Sequence, residues 1–202
     1  MASGFRKFRE KYFEMENGPY QQGGQAPKSL VITCSDSRVD PAIITSAGPG
    51  ELFVVRNIAN MVPPFETGGG HHGVSAAIEF GVVNLKVENV IVLGHRQCGG
   101  IRALVTHLNS DSESFVDKWV AMARPAHFRA LAEHPEANQE DLCQYCELEA
   151  IKISIANLRT FPFVAKAEKE RGMNVIGAYF DLEKGHLLHF DEAKNDWVDL
   201  GI

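Results

Sequence analysis

The chain has 202 residues, 45% of them hydrophobic and 23% charged, with a formal net charge of −6 at pH 7. This length and composition predict one globular domain over residues 1–202, with a core that needs no disulfide support. The acidic balance argues against a nucleic-acid or anionic-membrane surface and favours a small-molecule substrate. Neither a membrane-spanning apolar run nor the apolar stretch of a signal peptide is found, so we expect a cytoplasmic protein.

The first twenty residues predict an N-terminal helical arm, with an amphipathic helix over residues 5–17. Its aromatic side chains recur at helical spacing and are Phe5, Phe8, Tyr12 and Phe13. Periodicity identifies the apolar face of this helix but does not say whether its own domain or a partner subunit covers that face.

Strand-like and helix-like patterns alternate along the rest of the chain. The predicted strands are Ser29–Thr33, Leu52–Arg56, Val90–Leu93, Asn174–Phe180 and His186–Phe190. The predicted helices are Ala42–Ser46, Val74–Leu85 and Ile101–His107, with residues 109–162 mostly helical and Glu147–Leu158 the clearest part of them. This alternation predicts an α/β fold with a mainly parallel central sheet, flanking helices and an antiparallel edge strand.

Two of the predicted strands end at residues that bind soft metals. The first strand runs into Cys34, and the third runs into His95, with Cys98 three residues further on. The carboxyl ends of neighbouring parallel strands meet at one edge of a sheet, so all three side chains can reach one ion. Two thiolates and one imidazole suit zinc, and three protein ligands leave a fourth position for water, as in catalytic zinc sites.

Two charged residues follow the first ligand within the segment CSDSR. Asp36 is placed to accept a hydrogen bond from a zinc-bound water, and Arg38 is placed to clamp its carboxylate in a bidentate pair. The clamp would keep Asp36 ionised, so that it accepts hydrogen bonds only. Alternatively, Asp36 is itself a fourth zinc ligand and closes the site. Arg56 and Asn57, which end the second strand, are expected to bond the backbone of the site or an interface.

Four ordered blocks, CSDSR, GELFVVRNIAN, AAIEF and VIVLGHRQCGG, together resemble the β-class carbonic anhydrases, and most closely their plant-type branch. The resemblance runs from about Gln25 to about Tyr179. It implies a carbonate dehydratase, a zinc lyase with one Zn²⁺ per subunit that reversibly hydrates CO2 to bicarbonate and a proton through zinc-bound hydroxide. It implies that Cys34, His95 and Cys98 hold the zinc and that Asp36 and Arg38 form a catalytic dyad beside it.

The resemblance also implies a substrate site. Its residues are Gln25, which donates a side-chain hydrogen bond, Gly99, whose backbone N–H faces the substrate oxygen, and Phe53, Ile58 and Phe80, which line an apolar CO2 pocket. Phe80 departs from the plant-type branch, which has a tyrosine at this position, so the resemblance does not extend to the hydrogen bond that the tyrosine hydroxyl would give to the substrate.

Further implications concern regulation and assembly. The bicarbonate-inhibited branch carries a tryptophan three residues before the first cysteine ligand, where this chain has Val31. The chain is therefore expected to have an open zinc site without that allosteric pocket. Family members are built on dimers, often assembled further, and their N-terminal helix commonly embraces the partner. Self-association as a dimer or a higher even-numbered oligomer follows, with the aromatic face of the arm on a partner.

Two alternative functions compete with this one. The same zinc site would serve a hydrolase of carbonyl sulfide or carbon disulfide, reached through a narrow tunnel instead of an open cleft. A zinc-stabilised binding protein without turnover would tolerate replacement of Asp36 by Asn.

Two further motifs receive mainly structural interpretations. Cys143 and Cys146 form a CxxC motif. We interpret them as a pair of buried structural thiols, in preference to a redox pair or half of a second zinc site. His71 and His72 are interpreted as part of an exposed loop, in preference to a role as a proton shuttle.

Overall fold

The protein is described by a computed structural model covering residues 1–13, 20, 23–68, 70–107 and 114–201. The strands are β1 Ser29–Cys34, β2 Leu52–Asn57, β3 Asn89–His95, β4 Asn174–Asp181, β5 His186–Asp191 and β6 Asp196–Asp199. The α-helices are α1 Ala2–Phe13, α2 Pro41–Thr45, α3 Gly73–Glu79, α4 Gly99–His107, α5 Phe115–Val120, α6 Arg124–Glu133, α7 Gln139–Leu158 and α8 Pro162–Arg171. Short 3₁₀ turns cover Ile58–Asn60 and Ala121–Ala123, and a π-helical turn covers Phe80–Asn84.

The six strands form one sheet in the order β2-β1-β3-β4-β5-β6. The first four are parallel, and β5 and β6 are antiparallel to their neighbours. The predicted α/β fold with a mainly parallel sheet, flanking helices and an antiparallel edge is confirmed. The edge has one strand more than predicted, because β6 is a four-residue segment, DWVD, too short and too charged for its pattern to indicate a strand.

Helix α7 packs closely on the sheet because two strands carry glycine beneath it. A Cβ atom on Gly94 of β3 would lie 2.6 Å from Cδ1 of Ile151, and one on Gly177 of β4 would lie 2.9 Å from Cδ1 of Ile155. Both isoleucines are buried in the main hydrophobic core. The absence of two side chains on the sheet therefore lets α7 approach β3, which leads to His95, and its neighbour β4.

Helix α1 stands apart from this core. None of its residues is buried, and its aromatic rings contact one another, with Phe8 within 5.2 Å of Tyr12 and 5.5 Å of Tyr20 between ring centroids. The predicted helical arm is observed up to Phe13, and residues 14–17 of the predicted helix lie outside the described residues. Within the ranges described, no helix has the length and apolar character required to cross a membrane.

Candidate metal centre

The candidate site lies where the strand order of the sheet reverses. β1 has β2 on one side and β3 on the other, so chain connections leave it in both directions. Cys34 is the last residue of β1 and His95 is the last residue of β3, and these strands are hydrogen-bonded neighbours. Crevices of this kind, beyond the carboxyl ends of parallel strands, are where α/β sheets bind ligands.

The strand ends bring three donor atoms together. One donor atom from each of Cys34, His95 and Cys98 lies within 4.8 Å of the other two, and the two sulfurs are 4.0 Å apart. All three residues are at most 5% exposed. Among the described residues, this is the group of cysteine, histidine and acidic side chains that is arranged to hold a metal ion.

The imidazole of His95 is oriented for metal binding. Its Nδ1 lies 2.8 Å from the carbonyl oxygen of Arg96, which can only accept, so Nδ1 carries the proton and Nε2 carries the lone pair. Nε2 is buried without a hydrogen-bond partner. A buried polar atom without a partner is costly, and a metal ligated by Nε2 would remove that cost. The donor set and the orphaned nitrogen therefore fit zinc.

The two thiols are electrostatically coupled. A hydrogen bond from Cys98 lowers the pKa of Cys34, and the same hydrogen bond, together with burial, raises the pKa of Cys98. Burial lowers the pKa of His95, but the combined influence of the neighbouring Cys34, the carbonyl oxygen of Arg96 and Asp36 outweighs it, so the pKa of His95 is raised. The pair of sulfurs thus shares one proton, and that proton is what a divalent cation would displace.

Asp36 and Arg38 form a close bidentate pair beside these ligands. Arg38 Nε donates to Asp36 Oδ1 at 3.0 Å, and Arg38 Nη2 donates to Oδ2 at 2.8 Å. The backbone N–H of Arg38 also donates to Oδ1, at 2.9 Å. Hydrogen bonding from Arg38 holds the pKa of Asp36 well below its usual range. Both oxygens of this carboxylate therefore face Arg38.

Arg56 holds the backbone of the CSDSR segment in place. Its Nε donates to the carbonyl oxygen of Cys34 at 3.0 Å, and its Nη2 donates to that of Asp36 at 2.6 Å. Its Nη1 pairs with Asp40 at 3.0 Å, and the Asp40 side chain caps the N-terminus of α2. The backbone carbonyl oxygen of the neighbouring Asn57 accepts a hydrogen bond from the backbone N–H of Ser35 at 2.8 Å. The expectation that the end of β2 bonds the backbone of the site is met.

Glu147 supports the second ligand loop and was not identified from the sequence. Its Oε1 accepts from the backbone N–H of Cys98, and its Oε2 accepts from the hydroxyl of Tyr179, both at 2.8 Å. The side chain is buried, and burial raises the pKa of Glu147 to about 7. The available signal was a carboxylate within the buried face of α7, next to Cys146.

Cys143 and Cys146 are both buried free thiols on α7. Burial raises the pKa of Cys143, and it raises the pKa of Cys146 to about 12, so both are neutral and unreactive near pH 7. Neither belongs to a metal-capable group in the described part of the chain. These properties agree with the structural interpretation of the CxxC.

Two of the predicted substrate residues lie next to the metal group. Gly99 is the first residue of α4 and directly follows Cys98. A Cβ atom on Gly100 would lie 2.6 Å from Cγ2 of Ile58, so Ile58 packs on this helix N-terminus. Ile58 also borders an apolar cleft of about 450 Å³, lined by Ser35, Asn57, Ile58, Phe115, Val116 and Trp119. The cleft adjoins Cys34 through Ser35.

The other three predicted substrate residues lie towards the opposite end of the sheet. Phe53 pairs with Leu30 in the register of β1 and β2, four residues before Cys34, which is roughly 13 Å along the strand. Phe80 packs on Phe53 with 5.8 Å between ring centroids, and 44% of its surface is exposed. Gln25 is exposed and precedes the start of β1. A single copy of the chain therefore does not bring these residues to its own metal group.

His71 and His72 lie in an exposed segment. The His72 ring is 3.2 Å from the carbonyl oxygen of Gly68, a contact within the same loop. Neither histidine belongs to the metal-capable group found among the described residues.

Comparison with known proteins gives a consistent result. A family model described as carbonic anhydrase matches residues 29–187. Beta carbonic anhydrase 3 of Arabidopsis thaliana is 38% identical over 190 residues, which cover 92% of this chain and 73% of that protein.

Solved structures agree with the sequence comparison. The β-carbonic anhydrase CcaA is 34% identical, with a TM-score of 0.89 covering 100% of this chain and 91% of that one. A structure from a study of two tetrameric β-carbonic anhydrases of the fungus Sordaria macrospora is 28% identical, with a TM-score of 0.74 over 99% of this chain and 91% of that one. The family match, the relatives and the geometry of the strand ends together place this chain in the β-carbonic anhydrase family.

Proposed function

We propose that the chain is a zinc-dependent carbonic anhydrase that reversibly hydrates CO2 to bicarbonate and a proton. One observation carries the proposal: two thiol sulfurs, one imidazole nitrogen and a carboxylate clamped by arginine meet beyond the carboxyl ends of β1 and β3. Membership of the β-carbonic anhydrase family supports the same conclusion.

Cys34, His95 and Cys98 would hold one Zn²⁺ per subunit. Two sulfurs and one nitrogen are a donor set that zinc prefers, and Nε2 of His95 has its lone pair free for the ion. When bound, zinc would act as a Lewis acid and lower the pKa of a water at its fourth position, which supplies a nucleophile near neutral pH. Because the three side chains are buried, the packing around them restricts their motion and keeps their donor atoms together.

Asp36 would control what occupies the fourth position. Because Arg38 keeps this carboxylate ionised, Asp36 can only accept a hydrogen bond, and it favours a neighbour that has a proton to donate. Both of its oxygens are engaged by Arg38, which supports an open site over one that Asp36 closes as a fourth ligand. The chain has Val31 at the position of the tryptophan in the bicarbonate-inhibited branch, which supports the same choice.

The substrate would be held by residues of two subunits. Ile58 offers an apolar wall beside the metal group, and the Gly99 backbone N–H lies at the start of a helix, where donors face an anionic oxygen. Gln25, Phe53 and Phe80 lie too far away to serve the same copy. We therefore assign these three residues to the site of a second copy, in a dimer or a higher even-numbered oligomer.

The N-terminal arm would contribute to this assembly. Within the part of the chain that the structure describes, no side chain of α1 is buried, and Phe5 remains 63% exposed. An apolar face of this kind marks a surface that a partner covers. We assign that role to a second copy of the chain.

The proposal is tested by measuring three reactions on one zinc-loaded preparation. Stopped-flow hydration of CO2 is compared with hydrolysis of carbonyl sulfide and of carbon disulfide. We expect CO2 to have the highest kcat/KM of the three, because the chain belongs to the β-carbonic anhydrase family and the apolar cleft bordered by Ser35 and Ile58 is open, with Phe115 on its wall 92% exposed. Preference for either sulfur compound would contradict the substrate assignment, and no turnover of any of the three would favour a zinc-stabilised binding protein.

A further inference from the structure

The guanidinium of Arg38 is held from two sides. Beyond its pair with Asp36, its Nη1 donates to the side-chain oxygen of Gln97 at 3.3 Å, and its Nη2 donates to the backbone oxygen of Gln97 at 3.4 Å. Gln97 lies between the ligands His95 and Cys98. Arg38 thus connects the two loops that carry the metal ligands.

Gln97 is itself anchored to a third segment. Its side-chain Nε2 donates to Glu183 Oε1 at 2.6 Å, and the other carboxylate oxygen of Glu183 lies 3.5 Å from Nε of Arg96. Glu183 is in the turn between β4 and β5, where the buried carboxylate of Asp181 accepts from the backbone N–H groups of Glu183 and Lys184. The backbone of the turn that carries Glu183 is therefore held by hydrogen bonds to Asp181.

The backbone of Gln97 is strained, which indicates that its position is enforced. Its φ is +59°, in the left-handed region that residues other than glycine adopt rarely. Such strain persists where the surroundings determine the conformation, and it concentrates at functional sites. Here the surroundings are Arg38 on one side of Gln97 and Glu183 on the other.

The acceptor oxygen of Glu183 decides which way the Gln97 amide points. A carboxylate accepts only, so the amide NH2 group of Gln97 faces Glu183 and its oxygen faces Arg38. The opposite orientation would place NH2 against the guanidinium and oxygen against the carboxylate. Glu183 therefore presents an acceptor to Arg38 through Gln97.

We propose that Gln97 and Glu183 form a latch, which positions Arg38 so that it holds Asp36 away from the metal. The Arg38 side chain is 49% exposed, and exposed ion pairs are weak because solvent screens them and side-chain entropy opposes them. Two further contacts from Gln97 restrict the guanidinium and favour the paired state of Asp36. Gln97 and Glu183 are positioning residues, and their role in turnover rests on the proposed function.

Three variants distinguish the effect of the Gln97–Glu183 latch from a general effect of changing this turn. Glu183→Ala removes both the acceptor for Gln97 and the charge facing Arg96. Glu183→Gln removes the charge but keeps an amide oxygen that can accept from Gln97. Lys184→Ala changes the next residue of the same exposed turn and serves as the control.

We expect Glu183→Ala to lower kcat for CO2 hydration about 3- to 10-fold at unchanged zinc content, because it removes the equivalent of one net hydrogen bond. The other two variants should stay within about twofold of the parent kcat.

Crystal structures of the zinc-loaded variants provide a readout that does not depend on activity. We expect Asp36 to be paired with Arg38 in the parent, in Glu183→Gln and in Lys184→Ala, and to show a second position away from Arg38 in Glu183→Ala. A Glu183→Ala structure with Asp36 fully paired overturns the latch, and so does a Glu183→Gln variant as impaired as Glu183→Ala. If the parent itself fails to hydrate CO2, the proposed function is wrong, while the position of Asp36 still reports on the latch.

Discussion

Asp36 is the carboxylate beside the metal group that would take part in the proposed reaction. Its carboxylate accepts three hydrogen bonds from Arg38, one of them from the backbone. Because these bonds hold the pKa of Asp36 below its usual range, the carboxylate stays ionised throughout the neutral range. A change in rate between pH 7 and pH 9 therefore reflects other groups than Asp36.

The ligand assignment predicts which cysteines zinc needs. Replacing Cys98 by Ser should lower the bound zinc from about one per chain to well below one, because an alcohol is a much poorer zinc ligand than a thiolate. Cys143→Ala is the matched control, since this buried thiol lies outside the metal-capable group. The check is metal analysis of both purified proteins after dialysis. Full zinc in the Cys98 variant, or loss of zinc in the Cys143 variant, would contradict the assignment.

Much of the site was predictable from the sequence because its residues lie at the ends of apolar runs. The runs that lead to Cys34 and His95 are buried parallel strands, and such strands meet at one edge of a sheet. The supporting residues were not predictable in this way. Glu147 is 49 residues from Cys98, and Glu183 is 86 residues from Gln97, so only the folded chain reveals these pairs.

Among the elements, the sheet was predicted more completely than the helices around it. Helix α8 was missed because its sequence, PFVAKAEKER, has a weak apolar face, although Pro162 begins it and Gly172 ends it with a φ of +63°. The helix predicted over residues 74–85 is observed as α3 followed by the π-helical turn Phe80–Asn84. Apolar spacing does not distinguish these two kinds of helical hydrogen bonding.

The contact between α7 and the sheet predicts a stability effect at Gly177. An added Cβ atom would lie 2.9 Å from Cδ1 of Ile155 and 3.1 Å from Cβ of Phe190. We expect Gly177→Ala to lower the free energy of unfolding by about 1–3 kcal/mol through overpacking. Gly73→Ala, in a helix with no atom within 4 Å of the new Cβ, is the control and should not destabilise. Urea unfolding of the two variants measures the difference, and equal stability would show that α7 is free to shift.

Arg159 ties three elements together and predicts a pH-dependent effect. From the end of α7 it donates to Glu168 of α8 and, through Nη1 and Nη2 at 2.6 and 2.9 Å, to Glu192 beyond β5. Hydrogen bonding from Arg159 lowers the pKa of Glu192. A lowered carboxylate pKa stabilises the fold above the unfolded-state pKa, and this contribution is lost as the pH falls through the lowered value.

We therefore expect Arg159→Ala to lower Tm at pH 7 by about 2–4 °C, with the difference shrinking below about pH 4. Lys166→Ala removes a pair with Glu170 that is 3.9 Å long and well exposed, and should leave Tm unchanged. Scanning calorimetry at several pH values and one protein concentration provides the comparison. A difference in Tm between Arg159→Ala and the parent that grows as the pH falls would contradict this explanation.

For the whole molecule, the proposed site draws on two copies of the chain. This arrangement predicts complementation between two defective variants. Cys98→Ser damages the metal group, and Gln25→Ala, at an exposed position, damages only the contribution to the neighbouring site. A mixed dimer contains one site that combines an intact metal group with an intact Gln25.

The two variants should each be slow, and refolding them together should restore activity towards one quarter of the parent value per chain. Statistical mixing places half of the chains in mixed dimers, each with one intact site. Stopped-flow CO2 hydration before and after co-refolding measures this recovery. A mixture no faster than the sum of its parts would mean that Gln25 acts within its own subunit or not at all.

We propose that zinc held by Cys34, His95 and Cys98 hydrates CO2 with the help of Asp36. The most direct test of this proposal is stopped-flow CO2 hydration from about pH 7 to pH 9, with zinc measured on the same samples, for the parent chain and for Asp36→Asn. We expect rapid hydration by the parent and a loss of at least about 100-fold in the variant, with zinc retained in both. A fully zinc-loaded parent that is inactive across this range, or an Asp36→Asn variant as fast as the parent, would contradict the proposal.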